Sequence, residues 1–515
     1  MNTNSSAAAR SWNERPIIAI SVAVALYCIY YFIFCKLPII GTPTFRIDYS
    51  VATVTRADDD IMRSLFHSRP ISELYLYIQA ILARHLLDGQ TKYLIYPLQH
   101  AALLVYFFSI SKVIESIFKT RIHVLTFLAA WVLFITNPGL IGDVYKLETI
   151  VGTVSMFFGG LALVVLSRWD RNRTQTGAIV FVLLYAFSIF AKEDFILPPL
   201  FLLGWYLFRD GEWKQQVIDH KWLLSSVALL LVFFVVFNKF IIPGRSFIDP
   251  VDKAKSPYFM TLNPISMAKV AYYYFVDEGR HIRVLSLFYA ITTLAALALG
   301  KKWKETLLIA LIVSGLMAPY LIMPNHKFSY YAIKWWIWQA IASLLLIQMI
   351  FTKREAIVTA LVSVFVLAPA LTNLSRHRGT AWNQSAYFRD RFAKSENVQR
   401  TLLANRNAIN VQKRVAVVGI GPGEIEQSPW QGNGETGHFL RGDLDLDPKW
   451  IVFVKSSDAS YVVTDDTQMD VSQAPEIAVK NISEIGLYKN LPRLVFGPDG
   501  NGEFIEHQPA DDLKN

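Results

Sequence analysis

Long apolar runs separated by short polar connections set the pattern of the first three quarters of the chain. They lie at 17–40, 93–118, 122–138, 146–167, 174–191, 195–208, 222–242, 284–300, 305–323, 329–351 and 356–372. A helix of about 17 to 25 apolar residues crosses ~30 Å of hydrocarbon at 1.5 Å per residue. The pattern therefore predicts an α-helical polytopic membrane protein of about 11 transmembrane helices. The shortest run, 195–208, forms a tight hairpin with its predecessor through Ala191-Lys192-Glu193-Asp194 and stops at Arg209.

The pattern changes near residue 376. A polar stretch with helical spacing runs from Ala381 to Asn410, and short strand-like runs follow at Val415–Val418, Trp450–Val454, Tyr461–Val463 and Leu494–Phe496. The expected organisation is a tail at 1–16, a transmembrane domain at 17–375 with long loops at 41–92 and 243–283, and a C-terminal α/β domain at 376–515. Gly419-Ile420-Gly421-Pro422-Gly423-Glu424 follows a strand, but its spacing is not that of a dinucleotide-binding fingerprint and a proline interrupts it. It reads as a turn.

Composition agrees with a membrane protein: 53% of the 515 residues are hydrophobic and only 18% charged, too apolar and too long for one soluble core. Charge then sets the orientation. Arg10 and Arg15, Lys119 and Arg121, Arg168 to Arg173, Arg209 to Lys221, Lys301 to Lys304, and Lys353 and Arg354 fall on one side when the spans are counted alternately. Short positively charged connections stay in the cytoplasm, so the expected localisation is the plasma (inner) membrane with a cytoplasmic N-terminus and an extracytoplasmic, periplasmic C-terminal domain. The net charge of +9 is spread over these turns and forms no nucleic-acid patch. The first apolar run, about 24 residues, exceeds the core of a signal peptide and reads as a retained anchor. Cys28 and Cys35, the only cysteines, lie in that run, which excludes a disulfide framework or thiolate zinc site in the C-terminal region.

Candidate chemistry gathers at the expected outer face. The first loop carries Arg46, Asp48, Arg56, Asp58-Asp59-Asp60, Arg63 and Arg69, and leads into an apolar segment, Ser72 to Leu87, expected to lie along the interface. Three adjacent carboxylates need solvent, cations or a helix N-terminus, so an acidic helix cap is the bland reading. Asp143, Tyr145, Lys146 and Glu148 open the fourth span, where acids are costly unless they face a partner or a wet cavity; an Asp143/Lys146 pair in the headgroup layer is the alternative. Lys192-Glu193-Asp194 and Asn325-His326-Lys327 with Tyr330 and Tyr331 complete the set. The aromatic stretches Tyr272–Phe275 and Trp335–Trp338 read as interfacial belts, with a lipid groove or sugar stacking as the alternative.

These motifs resemble the GT-C superfamily of integral-membrane glycosyltransferases, which use polyprenyl-phosphate-linked sugars. Asp58-Asp59-Asp60-Ile61-Met62-Arg63 is similar to the Asp-Asp-Ile-x-Arg signature of the bacterial O-antigen glucosyltransferase (Gtr) group. His67-Ser68-Arg69-Pro70 is similar to its Gly-Arg-Pro, and Tyr145-Lys146-Leu147-Glu148 to a Tyr-x-x-Asp motif, with Glu148 standing where the group has Asp. The likeness in layout covers roughly residues 17–350, and in motif a handful of positions.

The resemblance implies an inverting enzyme that moves a monosaccharide from a polyprenyl-phosphate-linked donor to a cell-envelope glycan, lipid or protein acceptor. Asp58 or Asp59 would then be the base, and Arg63 and Lys192, with His326 and Lys327, would hold the phosphate; Glu148 would orient the acceptor or a basic partner. No cofactor is assigned. Clustered carboxylates suit Mg²⁺ or Mn²⁺, but Arg and Lys alone can serve a phosphate leaving group. Two alternatives stand beside this reading: a lipid-linked oligosaccharide polymerase or ligase, and a lipid-linked-sugar flippase or transporter. No paired, broken spans recur in the two halves of the chain, which weighs against transport.

Overall fold

The computed structural model describes residues 16–37, 69–87, 92–137, 140, 144, 150–209, 211, 213–241, 259–277, 280–300, 302–325, 327, 329–350, 393–394, 397–398, 400–412, 415–418, 451–457, 460–464 and 492–505. Helices dominate up to residue 350. In order they are α1 (Pro16–Cys28, continued as a π-helix to Phe34), α2 (Pro70–Leu86), α3 (Lys92–Phe118), α4 (Val124–Ile135), α5 (Ile150–Asn172), α6 (Gln175–Ala191) and α7 (Leu197–Phe208). There follow α8 (Trp213–Asp219), α9 (Lys221–Val236, with a π-helix to Ile241), α10 (Pro264–Tyr272, with a π-helix to Asp277), α11 (Arg280–Ala298), α12 (Trp303–Leu321) and α13 (Ile333–Ile350).

Among the described residues, six helical segments are long and apolar enough to cross a membrane: 16–34, 96–118, 150–172, 221–241, 303–321 and 333–350. Shorter apolar helices occupy 124–135, 175–191 and 286–298. The molecule is thus a mostly helical, polytopic membrane protein. Helices also cover the predicted run at 195–208, while the run at 356–372 lies outside the described residues. Three features were not expected: a helix inside the 243–283 loop, started by the Asn263 side chain accepting from Ile265 N–H at 2.9 Å, the short helix α8 in the connection between the runs at 195–208 and 222–242, and an extension of α5 beyond residue 167 to Asn172.

Burial orders the bundle. Helix α13 is buried on every side from Ile333 to Gln348, the mark of a central helix. Helices α1 and α9 are peripheral and expose apolar side chains, among them Ile17, Ile33, Leu229 and Phe233, as a lipid-facing surface does. Small residues bring α5 and α6 together: Ser155 Oγ donates to the Ser188 carbonyl at 3.2 Å and Ser188 Oγ to the Ser155 carbonyl at 2.9 Å.

The described C-terminal residues form a short helix, α14 (Arg406–Gln412), and a five-stranded sheet of order β3-β2-β1-β4-β5. Its strands are β1 (Val415–Val418), β2 (Ile451–Ser457), β3 (Ser460–Thr464), β4 (Arg493–Phe496) and β5 (Gly502–Ile505). The central pairs are parallel and both edges antiparallel. Strand β5 is one that the sequence reading lacked, because Gly502-Glu503-Phe504-Ile505 is short and half polar. The glycine-rich turn after β1 lies outside the described residues.

Candidate functional site

Six helix ends meet at one charged cluster. Helix α6 stops at Ala191, whose carbonyl accepts from Ser72 Oγ of α2 at 3.0 Å. Lys192 is extended (φ −164°, ψ 146°), and Glu193–Phe195 make a single 3₁₀ turn before α7 begins with Pro198-Pro199 in its first turn, where a missing N–H costs nothing. The turn thus points Lys192 and Asp194 at the C-terminal end of α12 and the N-terminal end of α13. Ser155 Oγ holds the Lys192 carbonyl at 3.2 Å.

Asp194 is the hub. Its carboxylate accepts from the Lys334 ammonium and from the Tyr320 hydroxyl, the latter at 2.5 Å, and Lys334 Nζ also donates to the Tyr320 oxygen at 2.6 Å. Lys192 Nζ stands 3.9 Å from Asp194 Oδ2 and has no hydrogen-bond acceptor among the described residues. It lies 4.4 Å from the centre of the Tyr331 ring and 5.3 Å from that of Tyr320, and those two rings stack at 4.2 Å. Gly152 of α5 leaves the space: a Cβ there would sit 3.4 Å from Lys334 Nζ and 4.0 Å from Lys192 Nζ. Beside this group Arg69 pairs with Glu193 at 3.1 Å.

Among the described residues, charge in the cluster does not balance. Three cations, Arg69, Lys192 and Lys334, face two carboxylates, Glu193 and Asp194, and Arg69 with Glu193 neutralises itself. Burial alone would raise the Asp194 pKa, but Lys192 and Lys334 outweigh it and hold the carboxyl below its ordinary value. Burial lowers the Lys192 ammonium to about 7, with Asp194 opposing the shift. Burial works likewise against Arg69, yet Glu193 and Asp194 hold its proton more firmly than usual. A water-poor place with surplus positive charge favours an anion.

Of the residues singled out from sequence, Arg69, Lys192, Glu193, Asp194 and Tyr331 lie in the cluster. Lys327 is exposed and sits 5.1 Å over the Tyr273 ring instead. Asp58, Asp59, Arg63, Glu148 and His326 lie outside the described residues. Lys334 and Tyr320 were missed. A lysine inside an apolar run is a signal for the first; Tyr320 gave none. Among the described residues no three His, Cys, Asp or Glu side chains gather as metal ligands.

The reading of Trp335–Trp338 as an interfacial belt needs correction. All three tryptophans are buried inside the bundle: Trp338 Nε1 donates to the Tyr106 hydroxyl at 3.3 Å, and Tyr274 meets the Trp335 ring edge-on at 5.2 Å. Tyr106 in turn donates to the Lys334 carbonyl at 2.7 Å, so these rings brace the start of α13.

No protein family and no curated protein matches the chain. Among solved structures it is similar to the apo form of the oligosaccharyltransferase of Archaeoglobus fulgidus, with 11% sequence identity and a TM-score of 0.44 over 97% of this chain and 74% of that one.

Proposed function

We propose that this protein is a membrane glycosyltransferase of GT-C type that takes a monosaccharide from a polyprenyl-phosphate-linked donor at the outer face of the membrane. The observation that carries the reading is the buried surplus of positive charge around Lys192, at the ends of apolar helices where the phosphate of a lipid-linked sugar would lie. Lys192, which has no hydrogen-bond acceptor among the described residues, contacts that phosphate; Arg63 and His326 add to the phosphate side. Asp194, Lys334 and Tyr320 position Lys192.

In the proposed step Asp58 or Asp59 accepts the proton of the acceptor hydroxyl while its oxygen attacks the anomeric carbon. The bond from that carbon to the phosphate oxygen breaks, and the electron pair leaves with the polyprenyl phosphate, whose charge the cations stabilise. Glu148 orients the acceptor, an envelope glycan, lipid or protein. Asp59 precedes Arg69 by ten residues, a tether of at most ~35 Å, and Arg69 is tied to Glu193 next to Lys192. No metal is assigned to the step.

The test is transfer of radiolabelled sugar from a panel of polyprenyl-phosphate monosaccharides in membranes holding wild-type protein or Asp58→Asn/Asp59→Asn, with insertion of both verified. Transfer lost in the variant supports the reading; equal transfer by both removes these aspartates from the step. The Lys192, Asp194, Lys334 and Tyr320 network also has the proton-exchanging groups that a lipid-linked-sugar flippase would use. Movement of labelled lipid across liposomes, without transfer from any donor, would favour that second reading.

A further inference from the structure

A second cationic site lies at the opposite ends of the same helices. The C-termini of α3, α5 and α7 surround a cavity of about 870 Å³ lined by Lys112, Lys119, Arg121, Arg168, Arg171 and Arg209. Two carboxylates share the lining and both are engaged. Asp170 pairs with Arg209 at 2.8 Å and with Arg173 at 3.0 Å, and Glu115 takes Lys112 at 3.7 Å and the Ile122 N–H at 2.8 Å. Lys119, Arg168 and Arg171 have no carboxylate within salt-bridge distance among the described residues. The buried hydroxyls of Ser116 and Ser167 complete the wall, tied to each other through Tyr206.

Cations at helix C-termini suit the helix dipole, but that requires neither a half-open cavity nor three cations around it with no carboxylate partner among the described residues. The surroundings point to membrane depth. Helix α8 and its flanks, directly after Arg209, expose Trp213, Ile218 and Trp222, the apolar and indole-rich surface that settles among lipid headgroups. We propose that this cavity is a binding site for the phosphate headgroup of an anionic phospholipid, gripped by Lys119, Arg168 and Arg171. It stands apart from the Lys192 cluster and does not depend on the function proposed for it.

The experiment uses the full-length protein in a neutral detergent, wild type against Arg168→Gln/Arg171→Gln, with folding checked by circular dichroism and Arg168→Lys/Arg171→Lys as the charge-preserving control. Native mass spectrometry counts bound lipid on titration with phosphatidylglycerol, phosphatidylcholine or inorganic phosphate. The wild type and the lysine control should retain phosphatidylglycerol selectively, and the glutamine variant should bind it about 10- to 30-fold more weakly. Equal retention by the glutamine variant, or equal retention of phosphatidylcholine, would overturn the site. Displacement of phosphatidylglycerol by millimolar inorganic phosphate would assign the cavity to a soluble anion and overturn the lipid.

Discussion

Lys334 and Asp194 are 140 residues apart in the chain, yet the ammonium of one donates to the carboxylate of the other with both side chains at 2% exposure or less. This contact joins the turn between α6 and α7 to the start of the central helix α13. It also leaves Lys192 as the second cation on one carboxylate.

That arrangement makes the two ends of the pair unequal. Asp194→Asn strands two buried ammonium groups, whereas Lys334→Met leaves the carboxylate with Lys192 at 3.9 Å. Breaking a buried pair by removing one partner costs about 3–5 kcal/mol. Asp194→Asn should lower the thermal unfolding midpoint in detergent by the larger amount and Lys334→Met by distinctly less. Equal losses would contradict the shared carboxylate.

The pKa of Lys192 gives a pH dependence with a definite sign. The ammonium is charged below about 7 and loses its proton above it, so affinity for a phosphate-bearing lipid should fall as pH rises from 6 to 8. Lys192→Arg keeps its charge throughout and should flatten the profile. Without ligand the sign reverses: the folded value of about 7 lies below the ordinary 10.5, so the folded state holds fewer protons between them and stability rises with pH across that window. Binding and unfolding measured at pH 6, 7 and 8 check both.

Gly159 tests how tightly α5 meets the turn. A Cβ there would lie 2.5 Å from Cδ1 of the fully buried Phe195 ring. Gly159→Ala should therefore cost about 1–3 kcal/mol through overpacking, read as a lower unfolding midpoint. Phe195→Leu in the same background should recover part of it.

The helices were legible in the sequence because lipid permits only backbone that bonds to itself, which turns each span into a long apolar run. Helix α13 shows where that legibility stops. Its apolar run is plain, and Lys334 inside it signals a partner within the protein, but the aromatic residues alone do not tell interior from interface: Trp335 and Trp338 read as interfacial and are interior. Lys192 was found because it interrupts the apolar pattern at a turn. Tyr320 and Lys334 escaped because their role comes from contacts with Asp194, 126 and 140 residues away, and only the folded chain brings these together.

The central claim is that Lys192 meets the donor phosphate, and direct binding of a polyprenyl-phosphate monosaccharide to purified wild type and Lys192→Gln at pH 6.5 tests it most directly. Loss of a charge-assisted contact is worth about 1.5–3 kcal/mol, so the variant should bind roughly 10- to 100-fold more weakly while unfolding no earlier than wild type. Equal affinity for the two would contradict the claim.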